Sequence, residues 1–124
     1  MKTQLLGRAA ERLALTYLKN AGLTKIAKNF SCRVGEIDLI MLQKNQTQHS
    51  LIIFIEVRYR RSRSYGSAEE SITPAKRRRL VNAAERFLQI NPTYRRLCAR
   101  FDVIAINGTM DVEHLEWIIN AFEH

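Results

Sequence analysis

Two strand-like stretches each carry a carboxylate where a core residue belongs. Val34–Leu42 and Leu51–Arg60 are dominated by Ile, Leu, Val and Phe, yet Asp38 interrupts Gly35-Glu36-Ile37-Asp38-Leu39-Ile40 and Glu56 interrupts Ile53-Phe54-Ile55-Glu56-Val57-Arg58. A charge among apolar neighbours is costly unless it is paired or bound to a metal. Only polar residues, Gln43–Ser50, separate the two stretches, so they can pair as an antiparallel hairpin, and Asp38 can then sit beside Glu56. At period two, Glu36, Asp38 and Ile40 point one way and Ile37, Leu39 and Met41 the other, while Glu56, Arg58 and Arg60 share a face. Two carboxylates held together repel, and a divalent cation relieves the repulsion. Hard oxygen donors with no soft ligand point to Mg²⁺ or Mn²⁺. The alternative is that these acids form buried ion pairs with Arg58 and Arg33.

The rest of the chain reads as a small α/β domain around that hairpin. Its 124 residues, 46% hydrophobic and 26% charged, suit one globular domain spanning 1–124. Thr3–Asn20 has helical spacing of Leu6, Ala9, Ala10, Leu13 and Tyr17, with Thr3 as a plausible N-cap and Ala21-Gly22 as the stop. Gly7 inside this helix costs about 1 kcal/mol relative to alanine, which points to close approach by another backbone. It lies one turn before Glu11 on the same side. Arg61–Ile72 reads as a polar loop and a candidate mobile segment. Thr73-Pro74 opens a second helix that buries Leu80, Val81, Ala84, Phe87 and Leu88 and stops at Asn91-Pro92. Ala99–Ile106 is a third strand, Asn107-Gly108 a hairpin-turn signal and Val112–Ile118 a fourth strand. The order α-β-β-α-β-β gives one mixed central sheet flanked by helices.

Several classes drop out. The two cysteines, Cys32 and Cys98, and the histidines His49, His114 and His124 make no zinc spacing and no disulfide framework, which fits reduced thiols in a cytoplasmic protein. No GxGxxG or GxxxxGK[ST] is present. The start Met1-Lys2-Thr3-Gln4 is not that of a signal peptide, and Leu51–Ile55 is too short an apolar run to cross a bilayer, so no membrane role is expected.

The net charge of +8 is unevenly distributed. Residues 58–100 hold twelve Lys and Arg against three Asp and Glu, whereas residues 101–124 hold five acids and no Lys or Arg. The excess forms three clusters: Arg58, Arg60, Arg61 and Arg63; Lys76, Arg77, Arg78 and Arg79; and Arg95, Arg96 and Arg100. Arginine dominates, and its planar fork matches phosphate oxygens in pairs, so a polyanion is the expected partner rather than a merely solvated face. An acidic metal site beside a cationic groove is what phosphodiester hydrolysis requires.

The stretch Gly35-Glu36-Ile37-Asp38-Leu39-Ile40, followed by Phe54-Ile55-Glu56-Val57-Arg58-Tyr59-Arg60, resembles the signature of the YraN-like family of small bacterial proteins. Gly7 and Glu11, Tyr65-Gly66, Ser71-Ile72-Thr73 before Lys76, and Arg100-Phe101-Asp102-Val103 extend the resemblance over almost the whole chain. That family in turn resembles the restriction-endonuclease-like, PD-(D/E)xK superfamily, especially the archaeal Holliday-junction resolvases. Its core is a D…(D/E)xK motif on a central β-hairpin; its members bind Mg²⁺ and cut DNA. The resemblance implies Asp38 and Glu56 as metal acids and Glu11 as the helix carboxylate near the metal, a further or water-bridged ligand. Arg58 falls where the motif lysine belongs. Arginine keeps the positive charge but cannot release its proton, so some loss of rate is expected; Lys76 could substitute.

The expectation is therefore a nucleic-acid-binding, restriction-endonuclease-like domain. Its sharper form is a Mg²⁺- or Mn²⁺-dependent endonuclease for branched or structured DNA, with Asp38, Glu56, Glu11 and Arg58 at the reaction. Arg58, Arg60, Arg61, Arg63, Lys76, Arg77, Arg78 and Arg79 would hold phosphates on one continuous surface. A homodimer is possible, because resolvases make paired cuts. The rival is a catalytically degenerate adaptor that binds DNA, RNA or an acidic protein, favoured by Arg58.

Overall fold

The inward stripe of the first helix differs from the one its sequence suggests. In the computed structural model, which describes residues 2–44, 50–62 and 66–123, α1 spans Lys2–Asn20 and buries Ala10, Ala14 and Leu18. These lie one turn apart on a single line. Leu6, expected inside, is exposed, and Leu13 and Tyr17 are half-buried on the flank. Thr3 already lies within the helix, so it does not cap it. The chain leaves α1 through Gly22 at φ 100°, with the Leu23 N–H donating to the Leu18 carbonyl and the Gly22 N–H to the Lys19 carbonyl. This is the left-handed closure that favours glycine.

Five strands follow: β1 (Thr24–Cys32), β2 (Gly35–Gln43), β3 (Leu51–Arg60), β4 (Cys98–Asn107) and β5 (Leu115–Ile118), with α2 (Pro74–Ile90) between β3 and β4. They lie side by side in chain order; only the β3–β4 pair is parallel. The α/β class and the mixed sheet are as expected, with the order α-β-β-β-α-β-β. The added strand is β1. It is an edge strand whose burial does not alternate. A register shift between Lys25 and Ala27 and a left-handed Asn29, at φ 53°, break its periodicity. Lysines and bulges are usual on sheet edges and erase the pattern by which strands are recognised.

Each face of the sheet has its own core. Ile52 and Phe54 of β3 join Ile40, Leu80, Ala83, Ala84 and Phe87 on the α2 side. Ile53 and Ile55 join Ala10, Ala14, Leu18, Leu39, Met41 and Ile104 on the α1 side. Strict alternation fails within β2 as well: Ile37 packs with Ile40 on the α2 side instead of with Leu39 and Met41. The Thr73 hydroxyl caps α2 by accepting from the Lys76 N–H at 3.2 Å, with Pro74 opening the helix. Asn91 ends it, its side chain donating to the Phe87 carbonyl at 2.9 Å.

The segment read as a polar loop between β3 and α2 packs against the sheet in residues 67–71. Ser67 and Ala68 are buried and Glu69–Ser71 form a 3₁₀ turn. Asn107 pins this segment to β4, accepting from the Ala68 N–H at 2.8 Å and donating to Glu69 at 3.1 Å. Arg63 and Tyr65 lie outside the described residues. Asn107-Gly108 does not close a two-residue turn: residues 108–114 connect β4 to β5, and Val112–His114, expected in the last strand, form a 3₁₀ turn. Cys32 and Cys98 are free thiols, and no helix among the described residues is long and apolar enough to cross a membrane.

The close backbone approach expected at Gly7 occurs at Gly35. A Cβ placed on Gly35 would collide with the Arg79 carbonyl of α2, whereas one on Gly7 meets nothing within 4 Å among the described residues. The start of β2 is thus seated directly against the α2 backbone. Gly35→Ala is expected to destabilise the fold by about 1–3 kcal/mol, the usual scale for overpacking, in a urea titration.

Candidate functional site

Strands β2 and β3 separate at the acids. Their pairing runs from Gln43↔Leu51 to Leu39↔Ile55 and ends there. Beyond that rung, β2 stays with β1 through Phe30↔Ile37, Ser31↔Glu36 and Cys32↔Gly35, while β3 continues beside β4 from Glu56↔Val103 to Arg60↔Asn107. Asp38 and Glu56 stand at the crotch of this fork. With β2 gone, the Val57 N–H has lost its strand partner, and the Asp38 carboxylate accepts it at 2.8 Å. A buried N–H needs an acceptor, so this bond holds the fork and aims the acid together.

Asn29 stands opposite Asp38, between the rungs Lys28↔Leu39 and Phe30↔Ile37. Its left-handed φ accompanies a change of face. Lys28 lines an α1-side groove with Glu11, whereas Phe30 meets Phe87 of α2 edge-on at 5.2 Å. Ile37 makes the matching change on β2. The Asn29 side chain acts on Glu11 as well, favouring its charged form.

The two predicted metal acids are in side-chain contact. Burial, a hydrogen bond with Glu56 and the Glu56 charge push the Asp38 carboxyl up to about 9, against the opposing pull of the Val57 N–H and of Arg58. Burial, followed by the charge of Asp38, also raises Glu11. Among the described residues neither Asp38 nor Glu56 has an ion-pair partner, so the pairs with Arg58 and Arg33 are not formed. Nor do three His, Cys, Asp or Glu side chains there come together closely enough to hold an ion. Glu11 lies within electrostatic reach of Asp38.

Two grooves flank the fork. The larger, about 460 Å³, opens on the α2 side and is lined by Arg33, Gly35, Glu56, Arg58, Lys76 and Arg79 among others. The other, about 410 Å³, opens on the α1 side, with Gly7 and Glu11 facing Arg58, Arg60 and Arg61. Arg58 lines both. Its Nε donates to the Ser71 hydroxyl at 2.8 Å, and the Lys76 ammonium donates to the Ser71 carbonyl at 3.2 Å. Burial and then the Arg58 charge lower the Lys76 pKa.

The second basic cluster does not form a single surface. Helical spacing sends Lys76 and Arg79 to the α2-side groove and Arg77 over the Phe122 ring, 5.4 Å from its centroid. Arg78 is exposed on α2, outside both grooves. Sequence reading missed Arg33 as a groove residue, Ser71 as the anchor of Arg58, and Asn29. The signal for Arg33 was its place before Gly35, once Cys32↔Gly35 is seen as a hairpin end.

Asp38 makes the fold sensitive to pH. The unfolded chain releases its proton near pH 4, but the folded chain keeps it to about 9. Stability is therefore fully present at the acid end and falls as pH rises across that window, by at most about 1.4 kcal/mol per pH unit for one proton. Asp38→Asn retains an acceptor for Val57 and has no proton to lose. In metal-free urea titrations between pH 5 and 9, its advantage over the wild type is expected to grow with pH.

Comparison with known proteins agrees with the strand motifs. Residues 10–106 match the model of the uncharacterised protein family UPF0102. The UPF0102 protein of Stutzerimonas stutzeri is 43% identical over 122 residues, 98% of each chain. That of Ectopseudomonas mendocina is 47% identical over 118 residues, 95% of this chain and 94% of its own. That of Ralstonia nicotianae is 49% identical over 119 residues, 94% and 85% of the two chains. With the match covering both arms of the fork, α2 and most of β4, the chain belongs to UPF0102, the YraN-like family.

Proposed function

We propose that this chain binds nucleic acid, DNA in the first place, and hydrolyses phosphodiester bonds in branched or structured DNA with Mg²⁺ or Mn²⁺ at Asp38 and Glu56. One observation carries the reading: two adjoining acids without ion-pair partners among the described residues, one of them forced to keep its proton, lie in a fork bordered by Arg33, Arg58, Lys76 and Arg79. By contrast Asp102, which is buried, receives two bonds from Arg100, one from the Trp117 indole and one from the Asn120 N–H, all at 2.8–2.9 Å. Asp102 is satisfied by the fold. Asp38 is not, and a divalent cation can replace its proton. Mg²⁺ commonly binds through one or two carboxylates and completes its shell with water and phosphate oxygens, so two acids suffice.

The ion would supply a nucleophilic water and neutralise charge at the scissile phosphate. Asp38, fixed by Val57, and Glu56 would orient it. Arg58 acts as a fixed cation at the phosphate, held by Ser71. Lys76, on the same serine, brings a second charge to the α2 side, and Arg33 and Arg79 hold the flanking backbone. The roles of Arg58 and Lys76 are electrostatic, so charge matters more than proton transfer at these positions.

Binding of Mn²⁺ near pH 7 is expected to release about one proton per site, because the ion displaces the proton of Asp38. Calorimetry in two buffers of different ionisation heat counts it, and Asp38→Ala abolishes it. With single-stranded, duplex, flap and four-way-junction DNA, the wild type is expected to cut a branched substrate. Asp38→Ala should bind without cutting, and Arg58→Lys should retain or raise cleavage. Arg58→Ala should lose about 2–4 kcal/mol of barrier lowering, the scale of one lost transition-state donor. If Arg58→Lys folds and binds Mn²⁺ but cuts nothing, the nuclease reading is overturned and the adaptor takes its place.

A further inference from the structure

Gly7 lies inside α1, where glycine weakens a helix relative to alanine. No contact among the described residues accounts for it. Its φ is not positive, and a Cβ there meets no atom within 4 Å among the described residues. Gly7 lines the α1-side groove, where Leu6, Gly7 and Ala10 face Arg58, Arg60 and Arg61. The opposite wall is firm: the Tyr59 hydroxyl donates to the Gly108 carbonyl at 3.1 Å, and the Gly108 N–H donates to the Arg60 carbonyl at 2.8 Å. Arg60 and Arg61 are exposed and make no ion pair among the described residues. Glu11 also lines the groove and lies within electrostatic reach of Asp38. The groove therefore sets Leu6, Gly7 and Ala10 against three arginines, and Val57, whose N–H donates to Asp38, lines it as well.

We infer that the sugar-phosphate backbone of a nucleic-acid strand lies in this α1-side groove, directly against Gly7, with its phosphates on Arg60 and Arg61. The inference rests on the nucleic-acid reading above and extends it to the other face of the sheet. Arg58 lines both grooves, so a strand held here crosses the end of β3 at Arg58 and continues into the α2-side groove beside Lys76 and Arg79. The clearance at Gly7 fits this occupant. A backbone pressed on the helix needs room where a side chain would stand, and the guanidinium groups opposite supply its counter-charge.

The test compares the wild type with Gly7→Ala, Gly7→Leu and an Arg60→Ala/Arg61→Ala double variant. Stability is read by thermal melting, and binding to a fluorescent DNA strand and a four-way junction by anisotropy in EDTA over a range of salt. Gly7→Ala should melt at or above the wild-type temperature yet bind more weakly, because removing helix strain and filling the groove act in opposite directions. Gly7→Leu should lose at least tenfold in affinity with an unchanged salt dependence, since the block is steric. The arginine double variant should lose affinity and flatten the salt dependence, each lost phosphate contact reducing the slope by about 0.7–0.9. Wild-type affinity in folded Gly7→Leu overturns this inference and leaves the nucleic-acid reading intact. Failure of the wild type to bind either DNA overturns both.

Discussion

The molecule is organised by one hydrogen bond, from the Val57 N–H to the Asp38 carboxylate. It stands where a backbone carbonyl of β2 would have continued the ladder beyond Leu39↔Ile55. Substituting a side chain for the backbone lets the strands part without stranding an N–H in a low-dielectric place. It also fixes an acid between two strands that diverge to different neighbours, β2 to β1 and β3 to β4. The fork, the contact of Asp38 with Glu56 and the grooves on either face follow from that exchange. The seat of Gly35 on the Arg79 carbonyl and the left-handed turn of β1 at Asn29 hold the diverging arm in place.

Two carboxylates in this sheet, Asp102 buried and Asp38 half-buried, have opposite surroundings. Asp102 collects four donors and ties β4 to β5 and the C-terminal segment. Asp38 collects one backbone donor and faces two other acids, so its ionised form is held at a cost. A fold does not need such a cost for its own stability. It is the kind of local disadvantage found where a site is prepared for a ligand that supplies the missing charge.

The cations show how far a linear cluster can mislead. Lys76, Arg77, Arg78 and Arg79 are contiguous, but a helix turns about 100° per residue and scatters them. Lys76 and Arg79 reach the fork, while Arg77 covers Phe122. Strand periodicity placed Arg58 and Arg60 on one face, yet both border the α1-side groove, because β3 has no β2 partner there and the sheet is open along that edge.

Much of this was legible along the chain. The mixed α/β class, both helices, the hairpin between Gly35 and Arg60 and the adjacency of Asp38 and Glu56 follow from local patterns: an apolar period, a Thr-Pro helix start, and two acids at matching depths in neighbouring strands. These are properties of a residue and its near neighbours, so sequence carries them. The edge strand β1 was hidden because its bulge and Asn29 break the alternation that marks a strand. The close backbone approach was expected at Gly7 and not at Gly35 for a related reason. A glycine advertises missing volume but not what fills it, and only the packing of α2 shows that Gly35 receives a backbone while Gly7 faces open space. The anchoring of Arg58 by Ser71, the sharing of Arg33 with the fork and the forced protonation of Asp38 likewise join residues distant along the chain. Burial and the field of other charges are sums over neighbours in space, and those neighbours exist only once the chain has folded.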